Sequence, residues 1–351
     1  MKNIIFGAFA AVVVLKAAFH RLFKRPDDGV TKAVSKNGDF SIYCLAQPTG
    51  LIRASMDIVF LHGLQVRDSG ASLAWWSTWL SSDRSVCWPQ AWLASRFKAA
   101  RIFSVNYPAR AVLKPERGQD HWDTTAIQLL NQLTSAEVAI GAGDRKVVLV
   151  GHSMGGLVLK QILYEAHHRA STGSSSDTKS LQLLKNLRGI AFYGTPHMGS
   201  FLADWTKSLM VDNGIVRTFF GVPNKAYMQR LEVFDKSTKL LQERFIGVLS
   251  SEQYGEQRIR TVCMAEMLPM QWGPVTKIVV EQAAATLDDK TYNRNEYIHA
   301  NHVEVCKPSS QAGDSRFTVL VEHISEVTGE RAEEVVPTNH RQEQLHVSEL
   351  Q

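Results

Sequence analysis

Cysteines and glycosylation signals are scarce in this chain. Its 351 residues include only four cysteines, which are too widely spaced for a zinc-binding pattern or a dense disulfide framework. They are Cys44, Cys87, Cys263 and Cys306. We therefore expect reduced thiols and no metal site. The chain also lacks any Asn-x-Ser/Thr sequon, which favours a compartment outside the secretory lumen.

Outside residues 1–26, the chain also lacks a net charge. The formal net charge is +5, but residues 1–26 contain five Lys and Arg residues and no acidic residue. The remaining 34 basic residues balance the 34 acidic ones. Nothing in this balance supports a nucleic-acid surface, and we predict no nucleic-acid partner.

The apolar run at residues 4–15 is shorter than the roughly 20 residues that a bilayer span needs. A snorkelling Lys16 would extend it, and we predict that residues 1–26 form a membrane anchor or targeting segment. A cleaved signal peptide is disfavoured because no small-residue cleavage site precedes the basic cluster at 20–25, whereas a mitochondrial matrix presequence stays open. Basic residues after the run predict that the rest of the chain faces the cytosol.

Short apolar runs rich in β-branched residues recur along the chain, and segments of helical length separate most of them. This alternation predicts an α/β fold, with a mostly parallel central sheet and helices on both faces. The predicted strands are residues 58–61, 102–105, 147–150, 189–193, 258–264 and 277–280. Functional residues in such sheets gather at the carboxyl ends of the strands.

One motif joins a strand, a sharp turn and a helix. The apolar strand at 147–150 runs into Gly151-His152-Ser153-Met154-Gly155, and apolar residues at helical spacing follow. The five-residue pattern alone can arise by chance. In this context, however, it places the serine on a strained turn with an exposed hydroxyl, and the glycines let strand and helix pack closely. Ser153 is therefore the candidate nucleophile.

A serine nucleophile needs a base within hydrogen-bond reach and an acid that orients the base, in the chain order Ser, acid, His. Glu266 directly follows the penultimate predicted strand and is the preferred acid. His302 follows the last predicted strand and is the preferred base. The open alternatives are Glu281, Asp288, Asp289 and Asp204 for the acid and His299 for the base. His152 is excluded as the base because it flanks the nucleophile, and His197 because it precedes the acid.

The tetrahedral intermediate of acyl transfer also needs two N–H donors for its oxyanion. One is expected from Met154, the residue after the nucleophile. The other is expected from the loop that follows the first predicted strand, where His62-Gly63-Leu64 stands, and we assign it to the N–H of Leu64. This chemistry requires no cofactor, and we predict none.

Two other segments stand out. Residues 201–254 carry many apolar and aromatic residues without a clear strand, and we predict a helical lid over an apolar pocket, with ordinary packing helices as the alternative. Five of the eight tryptophans fall between Trp75 and Trp92, which favours core or cap packing over lipid contact. The main domain is expected at 40–330, with a polar tail at 331–351.

Six ordered blocks of sequence carry a resemblance to a known family. They are VFLHGL at 59–64, CWP at 87–89 with WL at 92–93, GHSMGG at 151–156, GTPHMGS at 194–200, AEMLP at 265–269, and NH at 301–302 with CKP at 306–308. In these blocks the chain resembles the lipase-like α/β hydrolases of the serine-active-site-containing protein family and, more distantly, the inositol deacylases of lipid anchors. Met198 departs from the pattern, since many relatives have a basic residue there.

The resemblance implies an α/β-hydrolase fold with a lid and a triad of Ser153, Glu266 and His302. It also implies ester hydrolysis or acyl exchange on lipids, including phospholipid remodelling at mitochondrial or endoplasmic-reticulum membranes. A lipid ester or phospholipid is then the expected substrate, and the N-terminal segment the expected membrane contact. The alternative is a catalytically silent hydrolase fold that acts as a scaffold at membrane contacts.

Overall fold

A computed structural model describes residues 32–64, 73–109, 121–172, 178–198, 225–251, 254, 258–272, 275–288 and 292–334 of the protein. The predicted membrane segment at 1–26 and most of the predicted tail at 331–351 lie outside these residues. Within the described ranges, no helix combines the length and the apolar character needed to cross a membrane.

Eight of the ten strands in the described ranges form one sheet. They are β1 (Ala33–Asn37), β2 (Phe40–Ala46), β3 (Met56–Leu61), β4 (Ala100–Asn106), β5 (Lys146–His152), β6 (Leu187–Tyr193), β7 (Arg260–Glu266) and β10 (Asn293–Ile298). Their order is β1-β2-β4-β3-β5-β6-β7-β10; β2 is antiparallel to both neighbours and the other pairs are parallel. The strands β8 (Met270–Trp272) and β9 (Val275–Lys277) form a separate antiparallel pair. The predicted mostly parallel sheet is confirmed.

One predicted strand, at residues 277–280, is wrong. Only Lys277 of this run belongs to a strand, β9. The backbone N–H groups of Val279 and Val280 instead donate to the carboxylate of Glu266, and their side chains are buried in a small cluster with Ala265. These two valines are therefore buried without belonging to a strand. The last strand of the sheet is β10, whose largely polar sequence at the sheet edge gave no apolar signal.

Helices cover both faces of the sheet, as predicted. They are α1 (Ala74–Ser77), α2 (Ala94–Arg96), α3 (His121–Leu133), α4 (Met154–Thr172), α5 (Thr178–Asn186), α6 (Lys225–Leu249), α7 (Gln282–Ala285) and α8 (Ser315–Thr328), with a π-helical turn at Pro89–Leu93. Alternate residues of β5 point to opposite faces, so Leu149 packs with α3 to α6 and Val150 packs with α1, the π-helical turn and α8.

The tryptophan-rich segment belongs to the second of these layers. Trp75, Trp76, Trp79 and Trp88 are buried. The ring of Phe60 on β3 meets Trp79 and Trp88 edge-on, with centroids 4.9 and 5.4 Å apart. Aromatic pairs favour this arrangement. The prediction of core packing is confirmed.

The predicted lid at 201–254 is described only in part. The described side chains of α6 include Leu241, Phe245 and Val248, which are buried in the core layer that also contains α4. Residues 201–224 lie outside the described ranges. A lid role for this segment stays a prediction.

A buried carboxylate joins several segments near the amino end of β3. Asp57 accepts hydrogen bonds from Nε (2.6 Å) and Nη2 (2.9 Å) of Arg101 on β4. It also accepts from the backbone N–H of Gly141 (2.7 Å) and from Nε of Arg145 (3.1 Å), both in the connection between α3 and β5. This cluster fixes the edge of the sheet that lies opposite the carboxyl ends of the strands.

We expect Asp57→Asn to lower the free energy of unfolding by about 2 to 3 kcal/mol, because the two guanidinium groups lose the charge that their positions require. Urea denaturation measures this. The matched control is Glu326→Gln, which removes an exposed ion pair with Arg260 and should cost at most about 0.5 kcal/mol. Equal losses in the two variants would contradict a central role for Asp57.

Candidate active site

The turn between β5 and α4 holds Ser153 in a strained backbone conformation. Its φ is +53°, in the left-handed region that side-chain-bearing residues rarely adopt. The N–H of Ser153 donates to the carbonyl of Tyr193 at the end of β6 (2.8 Å), and its own carbonyl accepts from the N–H of Gly156 (3.1 Å). Neighbouring strand and helix thus hold the strained serine, as the predicted turn requires.

Two glycines allow α4 to begin so close to the sheet. A Cβ on Gly155 would overlap the carbonyl groups of Leu61 and His62 at the end of β3. A Cβ on Gly156 would overlap the side chain of Thr195, which follows β6. Any side chain at these positions would push the helix away from the sheet and move Ser153.

The structure brings Ser153, His302 and Glu266 into one hydrogen-bonded chain. The Nε2 atom of His302 lies 2.8 Å from Oγ of Ser153, and its Nδ1 lies 2.6 Å from Oε2 of Glu266. Glu266 ends β7 and His302 lies in the loop after β10, so both stand at the carboxyl edge of the sheet. With Nδ1–H donating to the carboxylate, Nε2 of the neutral ring is left to accept the serine proton.

Backbone groups satisfy the second oxygen of the buried carboxylate. Oε1 of Glu266 accepts from the N–H groups of Val279 and Val280, each at 2.9 Å. Glu266 is inaccessible to solvent. Together with His302, these donors offset the cost of removing the carboxylate from water.

The alternative acids and the alternative base that the structure describes take no part in the hydrogen-bonded triad of Ser153, His302 and Glu266. Glu281, Asp288 and His299 are exposed. Asp204 and Asp289 lie outside the described residues. His197 is buried on the face of β7 that packs with α4 and α6, with Nε2 3.4 Å from Sγ of Cys263.

One predicted oxyanion donor, Met154, follows the nucleophile along the chain, and the other, Leu64, belongs to a loop that passes beside it. Met154 follows Ser153 and begins α4, and Leu64 stands two residues after His62 in the loop beyond β3. This loop passes directly beside the nucleophile, since a Cβ on Gly63 would lie 2.9 Å from Cβ of Ser153. Oxyanion binding by these N–H groups stays a prediction.

His62 and Tyr107 hold the shape of that loop, a role that the sequence did not reveal. The hydroxyl of Tyr107 donates to the carbonyl of His62 (2.7 Å), and the Tyr107 N–H donates to Nε2 of the stacked imidazole (3.4 Å). The Nδ1–H of His62 then donates to the carbonyl of Gly63 (2.8 Å). Burial lowers the pKa of His62 to about 4, so the ring is neutral at physiological pH and this pattern persists.

Comparison with known proteins agrees with this geometry. A model described as "Alpha/beta hydrolase family" matches residues 58–276, more than half of the chain. The chain belongs to the alpha/beta hydrolase family. The predicted family resemblance is thereby confirmed.

The curated relatives of this alpha/beta hydrolase are considerably longer proteins. Protein SERAC1 of Bos taurus is 30% identical over 274 residues, and that of Homo sapiens is 29% identical over 271 residues. Each match covers 73% of this chain and 36% of the relative. The chain thus spans little more than a third of the length of the curated relatives it matches.

Solved esterases and lipases resemble the chain more weakly. The apo form of Thermogutta terrifontis esterase 2 has a TM-score of 0.45 and 14% identity, covering 89% of this chain and 98% of the esterase. Bacillus licheniformis lipase BlEst2 has a TM-score of 0.43 and 18% identity, covering 79% of this chain and 96% of the lipase.

We expect Gly156→Ala to destabilise the protein by about 1 to 3 kcal/mol, because the new methyl group overlaps Thr195. Thermal or urea unfolding measures this loss. Adding Thr195→Ala should recover part of it. The control is Gly247→Ala in α6, where a Cβ meets no atom within 4 Å; it should be neutral or stabilise by up to about 1 kcal/mol. Equal effects of the two glycine substitutions would contradict the close packing of α4.

Proposed function

We propose that this chain is a serine esterase or lipase that cleaves or exchanges carboxylic esters of lipids through an acyl-enzyme. The observation that carries the proposal is the hydrogen-bonded chain from Ser153 through His302 to Glu266, with distances of 2.8 and 2.6 Å. Membership of the alpha/beta hydrolase family supports it. The resemblance to lipase-like hydrolases supports lipids as the substrate class.

The chemistry follows from the protonation pattern of these side chains. As Oγ of Ser153 attacks the ester carbonyl, Nε2 of His302 takes the serine proton, and the carboxylate of Glu266 stabilises the resulting imidazolium. The N–H groups of Met154 and Leu64 are the proposed donors to the oxyanion. His302 then protonates the leaving alcohol, and the acyl group remains on Ser153.

The second half of the reaction decides between hydrolysis and exchange. His302 removes a proton from the incoming nucleophile, which attacks the acyl-enzyme and frees Ser153. Water as the nucleophile gives a free acid. An alcohol or lysolipid gives a new ester, and the chain is then a transacylase.

Exposed apolar residues that adjoin two members of the proposed triad in sequence support a lipid substrate. Met267 directly follows Glu266, and Val303 directly follows His302; both are large apolar residues that are exposed to solvent. Met198, five residues after the end of β6, is 52% exposed. Exposed apolar groups around a site favour apolar ligands over charged ones.

We expect the full chain to hydrolyse p-nitrophenyl esters, and Ser153→Ala and Glu266→Gln to lower kcat/KM by about 10³-fold or more, because each removes part of the triad. Glu281→Gln and His299→Gln are matched controls at the exposed alternatives, and they should stay within about twofold of wild type. A phospholipid assay with labelled lysolipid then separates free fatty acid from the diacyl product of exchange.

The unfolding midpoints of all variants are measured alongside their activities. A folded wild-type chain that is no more active than Ser153→Ala, across short and long acyl esters, would contradict the enzyme and favour the scaffold. A large loss in Glu281→Gln or His299→Gln would contradict the assignment of the acid or the base.

A further inference from the structure

His152, the residue before the nucleophile, contacts the loop that carries the proposed base. Its Nε2 lies 2.9 Å from the backbone carbonyl of His302, and the two imidazole rings are 5.1 Å apart. A carbonyl oxygen only accepts, so Nε2 of His152 must carry the proton. Burial lowers the pKa of His152 to about 4, so at physiological pH the ring is neutral, with its proton on Nε2.

The opposite side of the same ring faces the proposed oxyanion loop. A Cβ on Gly63 would lie 3.1 Å from both Nδ1 and the carbonyl oxygen of His152. The imidazole therefore lies between the loop that follows β3 and the loop that follows β10. Since His152 is also the last residue of β5, one side chain links the three segments that supply nucleophile, oxyanion donors and base.

Other contacts hold the base loop further along the chain. The indole N–H of Trp88 donates to the carbonyl of Cys306 (3.1 Å). The ammonium group of Lys307 donates to the carbonyls of Ser77 (2.8 Å) and Thr78 (2.6 Å). These bonds fix the loop to the tryptophan-rich layer four or five residues after His302. The bond from His152 acts on the backbone of His302 itself.

We propose that His152 is a positioning residue, which holds the backbone of His302 so that its imidazole stays within hydrogen-bond distance of Ser153. The inference rests on the proposed serine-hydrolase function and concerns the same site. In this role His152 transfers no proton. It acts through His302, because a displacement of about 1 Å between reacting groups can cost about 100-fold in rate.

Two substitutions at this position distinguish the effect of losing the hydrogen bond from the effect of losing the volume of the ring. His152→Gln keeps an N–H donor at about the reach of Nε2, whereas His152→Met keeps a side chain of similar length without a donor. For hydrolysis of p-nitrophenyl butyrate, we expect His152→Met to lower kcat by about 10- to 100-fold with little change in KM. His152→Gln should stay within about threefold of wild type, as should the exposed control His299→Met.

Crystal structures of the two variants test the positioning role independently of activity. In His152→Met, Nε2 of His302 should move beyond hydrogen-bond distance of Oγ of Ser153, and in His152→Gln it should remain within it. An unchanged distance in His152→Met, or equal rates in the Met and Gln variants of an active wild type, would overturn the proposal. A wild type without esterase activity, combined with the displaced His302 in His152→Met, would instead overturn the proposed function and leave the positioning role supported.

Discussion

The close packing of α4 against the carboxyl ends of β3 and β6 is the constraint on which the rest of the site depends. It leaves no room for side chains on Gly155 and Gly156, and it holds Ser153 at a φ of +53°. Such a conformation costs on the order of 1 to 3 kcal/mol and persists only where the surrounding structure imposes it. A parallel sheet with a helix directly after its central strand imposes it here.

The other parts of the site are held by groups that take no part in the proposed chemistry. Backbone N–H groups of residues 279 and 280 hold the carboxylate of Glu266. His62 and Tyr107 hold the loop beside Ser153, and His152 bonds to the backbone of His302. Both supporting histidines have a pKa lowered by burial, so they keep a fixed hydrogen-bonding pattern near neutral pH. Strands supply the position of each proposed catalytic group, and these contacts supply its orientation.

The sequence predicted those features that a local pattern encodes. The turn at Ser153 has a defined glycine pattern, and Glu266 follows an apolar strand, so local sequence alone is enough to place both at the carboxyl edge of the sheet. Order in the chain alone predicts His302 as the base, although the strand predicted before it, at 277–280, is wrong. The correct strand, β10, is polar and lies at the sheet edge, where no apolar signal is required.

Contacts between distant segments could not be predicted in this way. The bonds that Tyr107 makes with His62 join residues 45 apart, and the bond from His152 to His302 joins residues 150 apart. Neither has a sequence pattern of its own. The sequence identifies His152 only as a neighbour of the nucleophile, because its partner is a backbone carbonyl that any residue at position 302 would supply.

The central claim is that Ser153 is a nucleophile activated by His302. The most direct test treats the folded full chain with a fluorophosphonate and maps the adduct by mass spectrometry. The account predicts a single adduct on Ser153 that is lost in Ser153→Ala and strongly slowed in His302→Ala. A folded wild-type chain without the adduct, or a His302→Ala variant labelled at the wild-type rate, would contradict it.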